Sequence, residues 1–462
     1  MYYTITDMIN LAISNGAGSA MTLEQIILNE IQEWDKSRQK ADMIEGWRYY
    51  KNEKTEELTN GFIRKLSKQK TDYLLSKPFS ITTENETYLK LLNEIFDDNF
   101  RRTLKNVGVQ AINKGIAWLQ LYFENNRPAF KLISSEEVIP LWLDEEHKKL
   151  HSVIRTYILE EYSGMTKKHV RHVEFWNENG VRRYILDGSG LTKDVEKGES
   201  ESYLKITKGN DTKENNWNKI PFIAFKYNSD ELPLLKGLKG AVDDYDNQKS
   251  VISKLLKEIP NFIYVLKNYG GADLDEFIKD LAEKRVIKID EEGGADKLQA
   301  DINITAYDTY MQQARKDIYE FGRGVDTQAV DLGNASGQAL KFRYADLDTD
   351  CNEMESEFSA SMQELLWFVN QYLILAGKGD FTNEQVDFVF NRDIIINETE
   401  TIQQCANSKD VVSDETIVSN HPWTADVSEE LKRLKKQRHE NAKMQQRQFG
   451  IQNNTPPDGD DE

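Results

Sequence analysis

Apolar residues recur at helical spacing through most of the stretch before Gly115. Ile26, Ile27, Ile31 and Trp34 share one face behind Thr22-Leu23-Glu24-Gln25, which supplies a capping threonine and a glutamine three residues on. Met43, Trp47 and Tyr50 extend the pattern. Phe62, Leu66, Tyr73 and Leu74 form another amphipathic run, ended by Pro78, and two more helices are predicted around Tyr88–Phe96 and Leu104–Lys114. From Ile116 to Lys226 the spacing switches to strands. The segments AWLQLYF, AFKLIS, VIPLWL, HSVIRTYIL, HVEFW and RRYIL are rich in β-branched and aromatic residues. Turn residues separate them at Asn125-Asn126, Asp144-Glu145-Glu146, Asn179-Gly180 and Asp187-Gly188. Thr192–Asn216 is polar and reads as a mobile loop.

Helical spacing returns at Leu235. Leu238, Ala241, Val242, Tyr245, Ile252, Leu255, Leu256 and Ile259 lie on one broad face, and Pro260 stops the run. A small αβ insert is predicted next: NFIYVLK as a strand, Leu274–Glu283 as a helix and RVIKID as a second strand. A short helix covers Tyr307–Phe321. The segment from Gly322 to Ser336 then carries Gly322, Gly324 and Gly333, with Gly337 at its exit, which predicts a flexible loop whose backbone turns without strain. After it comes the longest pattern in the chain, Gly337–Ala376. Leu340, Tyr344, Leu347, Cys351, Met354, Phe358, Met362, Leu365, Val369 and Tyr372 recur every three or four residues. About forty helical residues reach ~60 Å, enough for the spine of an extended subunit, and the same spacing also suits a coiled coil. VDFVFN reads as a strand, Glu400–Ser408 and Asp414–Val418 as short helices, and Asp426–Lys443 as a basic helix. The polar, acidic tail after it predicts disorder.

Composition narrows the function. The chain has 462 residues, 39% hydrophobic and 30% charged, with a formal net charge of −19. Nucleic-acid binders are usually basic, so this balance weighs against a sequence-specific regulator more than against a conduit. No run approaches the ~20 apolar residues of a membrane span, and the first residues lack the basic region of a signal peptide. Cys351 and Cys405 are too few for a disulfide framework and fit a reducing cytoplasm.

The motifs of catalysis are missing. Neither GxxxxGK[ST] nor GxGxxG occurs, and Gly322-Arg323-Gly324 does not follow a predicted strand. His147 and His151 are four apart beside three acids, yet they fall in what reads as a charged turn between two strands. His169 and His172 sit at odd spacing on a strand and point to opposite faces. Asp346, Asp348, Asp350, Glu353, Glu355 and Glu357 cluster on the long helix. They read as a solvated face or, more sharply, as a wall that repels DNA, and a metal-dependent nuclease is the enzyme they would suit. No catalytic residue, metal ligand or cofactor is expected.

Several phrases resemble the portal proteins of siphophages that infect Gram-positive bacteria. They are MIEGWRYYKNE, KTDYLLSKPFSI, DEEHKKLHSVIRTYI, IPFIAFKYN and, above all, Ala335-Ser-Gly-Gln-Ala-Leu-Lys-Phe-Arg-Tyr344 at the junction of loop and long helix. The likeness spans roughly Met21 to Gln437. It implies an α+β, mainly helical portal-type subunit: a β-rich wing (21–227), stem helices (235–259 and 307–321), a small αβ clip (260–306) and a channel loop (322–336). A long spine helix (337–376), a return to the wing (377–397), a helical crown (398–443) and a disordered acidic tail (444–462) would follow.

The resemblance further implies a dodecameric ring at the capsid vertex of the virion, assembled in the host cytoplasm. Double-stranded DNA would pass through it without sequence specificity during packaging and ejection. The terminase (packaging ATPase), a head-completion adaptor, and the major capsid and scaffold proteins would be partners. The loop residues expected to face DNA are Arg323, Val325, Asp326, Ala329, Val330, Asp331, Leu332 and Asn334, with Gly322, Gly324, Gly333 and Gly337 as hinges. Phe262, Tyr264, Leu274, Phe277, Ile278, Val286 and Ile287 would meet the motor or adaptor. The competing expectation is a capsid-associated coiled-coil scaffold or adaptor that conducts no DNA.

Overall fold

The computed structural model describes residues 4–451, apart from 16–20, 54–57, 125–126, 189, 199, 209–210, 218, 259–262, 268–272, 274, 276–277, 280–281, 284–293, 299–303, 329–336, 393–397 and 425–426. The chain has an α+β fold that divides into two compact units. The first comprises residues 1–69, 107–126 and 131–324, and the second 70–106, 127–130 and 325–462.

The first unit opens with α1 (Ile5–Asn15), α2 (Leu23–Lys36) and α3 (Arg38–Lys51). The capping box read from Thr22 is present: the Thr22 hydroxyl accepts from the Gln25 amide while the Gln25 side chain accepts from the Thr22 amide. Sequence spacing gave no reason to place α1, yet its Ile9 is fully buried in one core with Ile27 and Ile31 of α2. That core also takes the inner face of a six-stranded antiparallel sheet. The sheet runs β4 (Val138–Trp142), β5 (Leu150–Ser163), β6 (Thr166–Asn177), β7 (Gly180–Asp187) and β8 (Gly190–Lys193), with β9 (Ser200–Glu201) also on β7. Val153, Ile154, Val173 and Phe175 are fully buried there, each worth roughly 1.5–3 kcal/mol of apolar burial. The charged turn between β4 and β5 holds His147, which lies 2.8 Å from Glu231 and stacks on Trp142, while His151 bonds Asn10 at 3.1 Å. These two histidines therefore take separate partners.

A second sheet orders β12 (Phe222–Lys226), β2 (Ile116–Glu124) and β3 (Arg127–Ile133), the last of which contributes residues 131–133 to this unit. The expected loop Thr192–Asn216 instead holds strands. β10 (Leu204–Lys208) and β11 (Asp211–Asn215) form an antiparallel hairpin, Ile206 opposite Lys213. Alternating residues and an i-to-i hairpin register override the polar composition that suggested a loop. Helix α7 (Leu235–Glu258) buries Leu238, Val242 and Tyr245, whereas Val251, Leu255 and Leu256 on its later turns are exposed. Helix α8 (Ile304–Phe321) pairs with it: the Tyr307 hydroxyl donates to the Gln248 carbonyl at 3.2 Å, and Tyr310 donates to Asp244.

The second unit is built on α9 (Gly337–Leu375), a 39-residue helix of about 58 Å. From Leu347 to Tyr372 the stripe read from sequence is buried: Leu347, Cys351, Met354, Phe358, Met362, Leu365 and Val369 are each at most 2% exposed. The return strand β15 (Asp387–Val389) pairs antiparallel with β1 (Ser80–Thr82), Ile81 opposite Phe388. Around them Phe79, Phe96, Phe100, Phe130, Phe388 and Phe390 form a ring cluster with centroids 4.7–6.3 Å apart. α5 (Glu86–Ile95) adds Tyr88, stacked on Phe381 at 4.4 Å. The unit closes with α10 (Glu398–Asn407), α11 (Asp414–Asn420) and α12 (Val427–Ile451). Helix thus continues past residue 444, where the acidic tail was expected to begin, and 452–462 lie outside the described residues.

Candidate channel loop and its anchors

The exit of α8 is closed tightly. Gly324 donates its amide to the Tyr319 carbonyl at 2.9 Å and Arg323 donates to Glu320 at 3.0 Å, the double bond of a Schellman terminus. Such a terminus needs one left-handed residue, normally glycine. Here it is Arg323, with φ 47°. The flanking glycines serve another purpose. A Cβ on Gly324 would lie 2.2 Å from the Leu66 Cδ2, and one on Gly322 2.6 Å from the Ile318 carbonyl oxygen. Gly322 and Gly324 are therefore close-contact glycines packed on α4 (Phe62–Leu75), and the expectation that they act as hinges is corrected for both.

Val325 also departs from expectation. It is 7% exposed and buried in a cluster with Tyr73, Leu347 and Cys351, all of the second unit, so it is a core anchor and not a surface residue of the loop. Asp326 follows as a turn former, its carboxylate accepting the Gln328 amide at 3.0 Å. Ala329, Val330, Asp331, Leu332, Gly333 and Asn334 lie outside the described residues, and Gly337 opens α9.

The acids of α9 are held by two bases. The Lys70 ammonium, its side chain fully buried, lies 2.6 Å from the Asp350 carboxylate. Arg392 reaches Asp348 with one guanidinium nitrogen and both Glu355 and Asn352 with the other. Burial works against its charge, but Glu355 and Asp348 outweigh it and hold the proton more firmly than usual. Tyr73 donates to Asp348 at 2.9 Å, and burial followed by that carboxylate raises its phenol. Burial pushes the Cys351 thiol up to about 12. Asp348, Asp350 and Glu355 are thus paired within the unit. Both earlier readings of the cluster, solvated face and repulsive wall, give way at these three positions. Asp346 stays exposed. Lys70 and Arg392 were not singled out from sequence. The available signal was a lysine on the helical stripe of Leu66 and Tyr73, four residues after one and three before the other.

In the insert, β13 (Ile263–Lys267) pairs antiparallel with β14 (Gly294–Leu298), Tyr264 opposite Lys297. The strand expected over 285–290 lies outside the described residues, as do Phe262, Leu274, Phe277, Val286 and Ile287. Ile278 is 60% exposed.

Residues 22–444 match the family model "Phage portal protein, SPP1 Gp6-like". The portal protein of Bacillus phage SPP1 is 30% identical over 382 residues, covering 82% of this chain and 75% of the relative. The portal protein of Clostridium phage phiCD119 is 28% identical over 389 residues, covering 80% and 82%. A chain in the neck of an empty GTA particle superposes over 89% of this chain and 97% of its own, with a TM-score of 0.47 and 12% identity.

Proposed function

The chain belongs to the SPP1 Gp6-like phage portal family, and from that premise we propose that it closes into a ring, dodecameric by the resemblance, at one vertex of the capsid. The match across residues 22–444 is the observation that carries this reading. Through the ring the genome is packaged and later ejected. The insert 260–306 presents the docking face for the terminase and then for a head-completion adaptor, and outer surfaces meet the capsid and scaffold proteins. The subunit supplies no catalytic group, and the energy of packaging comes from the separate motor.

Local features support the ring. Val251, Leu255 and Leu256 on α7, with Ile304 and Tyr310 on α8, are large apolar side chains left exposed in one chain, a stripe that a neighbouring copy could cover. Among the described residues β13 and β14 form a two-stranded sheet, and strand edges of such a pair are of the kind that joins chains. The net charge of −19 suits a conduit that must not hold a polyanion. For the channel loop we retain Arg323, Asp326, Ala329, Val330, Asp331, Leu332 and Asn334 as the DNA-facing set, without Val325. The coiled-coil alternative weakens, because the apolar stripe of α9 is consumed inside the chain and leaves no seam for a partner helix from Leu347 to Leu373.

Mass measurement and negative-stain imaging of the purified protein test the reading. Closed rings of uniform size, formed without ATP or metal, are expected. A folded monomer that persists at micromolar concentration at every salt would overturn it.

A further inference from the structure

Against the acidic balance of the whole chain, α12 is strongly basic. Between Leu431 and Met444 stand six lysines and arginines and one acid, Glu440. Two of the arginines are engaged locally: Arg433 pairs with Glu429 at 2.5 Å, and Arg438 with Asp414 of α11 at 2.5 Å. The half-buried Leu431 and Leu434 fall on the same side of α12 as Arg438, so this is the side that packs on α11. Lys432, Lys436, His439 and Lys443 follow at spacings of four, three and four, which places them on one line along the opposite side. Lys435 flanks that line. All five are exposed, as is every residue from Lys435 to Met444, and the four lysines have no ion-pair partner among the described residues.

We propose that this stripe of α12 is a phosphate-binding surface for double-stranded DNA, separate from the channel loop and blind to sequence. Charge and composition together select the ligand. The stripe carries no aromatic or branched apolar residue. A protein interface would need an apolar core, a membrane-surface helix would need aromatic or leucine anchors, and a single strand would be held by ring stacking. Only cations are offered here, and the dense, regular phosphates of a duplex backbone match a line of them. From Lys432 to Lys443 the helix runs about 17 Å, alongside which a duplex presents about ten phosphates. The acidic remainder of the chain does not cancel this local field, because at physiological salt charges beyond about 8 Å are screened. Contacts to phosphate position a duplex without reading it, which suits a protein that must accept any genome segment. The choice of duplex DNA over another polyanion rests on the portal role proposed above.

The test uses the full-length protein and a random-sequence blunt duplex, with binding measured by fluorescence anisotropy from about 50 to 200 mM salt. Four lysine contacts predict a log–log salt slope near −3.6 or steeper, a loss of about a hundredfold across that range. The variant Lys432→Gln/Lys435→Gln/Lys436→Gln/Lys443→Gln should bind at least tenfold more weakly at the lower salt and lose most of the slope. The matching quadruple lysine-to-arginine variant, which keeps the charge, should bind like the parent. Oligomer mass is read on the same samples, so failure to form rings would count against the portal role while binding is still judged by itself. The stripe is refuted if the glutamine variant binds like the parent or if the parent does not bind duplex at the lower salt. It is equally refuted if poly-glutamate binds the parent more tightly than duplex does.

Discussion

Lys70 and Asp350 form a buried ion pair, ammonium to carboxylate 2.6 Å, that ties α4 to the long helix with no exposed surface on the lysine side chain. A buried pair is not in itself a large stabiliser, because desolvation offsets the attraction, but removing one partner leaves an uncompensated charge. Lys70→Met should therefore destabilise the second unit by about 3–5 kcal/mol. The double variant Lys70→Met/Asp350→Leu should recover much of that loss. Chemical denaturation of both variants against the parent decides it: equal stability of the single and double variants would mean the pair is not coupled.

The α8 terminus separates two roles of small residues. Arg323 occupies the left-handed conformation at a cost of roughly 1–2 kcal/mol relative to a residue without Cβ. Arg323→Gly should leave stability unchanged or raise it by about 1 kcal/mol, the gain offset by a freer unfolded chain. Gly324→Ala should lower it by about 1–3 kcal/mol or more, because the new Cβ would stand 2.2 Å from Leu66 and force the packing apart. Thermal denaturation of the pair distinguishes a conformational glycine from a contact glycine. The opposite ranking would show that the terminus is placed differently.

These two anchors mark what sequence pattern carries. The stripe of α9 was legible because it is apolar and its period is uninterrupted from Leu347 to Tyr372. The α7 and α8 helices were legible from Pro260 and from spacing. What was not legible depends on residues distant in sequence. Lys70 and Arg392 look like surface bases until Asp350 and Asp348 are brought to them. Val325 looks like a loop residue until Tyr73 and Leu347 close over it. Gly322 and Gly324 suggest freedom, but Leu66 gives them a packing reason. The β10–β11 hairpin was hidden by its charge, since the alternation of Leu204 and Ile206 is short and surrounded by Lys205, Lys208, Asp211, Lys213 and Glu214.

Buried tyrosines set an alkaline limit. Burial pushes Tyr88 up to about 12, and burial with Glu24 nearby does the same for Tyr184, from an ordinary value of 10.0. A phenol whose folded pKa is raised contributes stability that is complete below its unfolded value and is lost as pH rises through its folded value. Stability should thus hold up to about pH 10 and fall toward pH 12. Tyr88 also donates to Asn370 at 2.5 Å. In Tyr88→Phe the fall should be shallower, although the variant starts lower by about 1–3 kcal/mol because Asn370 loses its partner. Phenolate absorbance should show one fewer late-titrating tyrosine. Identical alkaline profiles for parent and variant would remove Tyr88 from this role.

The exposed apolar turns of α7 offer a test of assembly that leaves the fold alone. Leu255 and Leu256 are 36% and 52% exposed in the single chain. Leu255→Lys/Leu256→Lys should change subunit stability by no more than about 0.5 kcal/mol per site. It should nevertheless prevent ring closure if a neighbouring copy covers them, since two buried lysines would repel across every interface of a closed ring. Circular dichroism and mass measurement read the two effects separately. A double variant that forms rings like the parent would place the subunit interface elsewhere.

The acids of the channel loop carry the most direct test of DNA sliding. Asp326 and Asp331 are its carboxylates, and Asp326 caps a local turn through the Gln328 amide. On the proposed channel role, a loop whose sequence is acidic and small would offer phosphates few cations, so contact with DNA would be weak and transfer would continue. Asp326→Lys/Asp331→Lys reverses that sign while leaving Gly322, Gly324 and Val325, which anchor the loop, in place. Rings should still form, because Asp326 lies outside the buried clusters and the anchoring residues are unchanged. Each new lysine adds about one released counterion per phosphate met, so drag should be greatest at low salt and relax as salt rises. Packaging by the variant ring should slow or stall at low salt and recover in part at higher salt. Replacement by Asn at both positions should give an intermediate rate, since it removes the repulsion without adding attraction. Should packaging by the lysine variant match the parent at every salt concentration while rings form normally, the loop does not meet DNA, and the channel constriction must be sought on another segment.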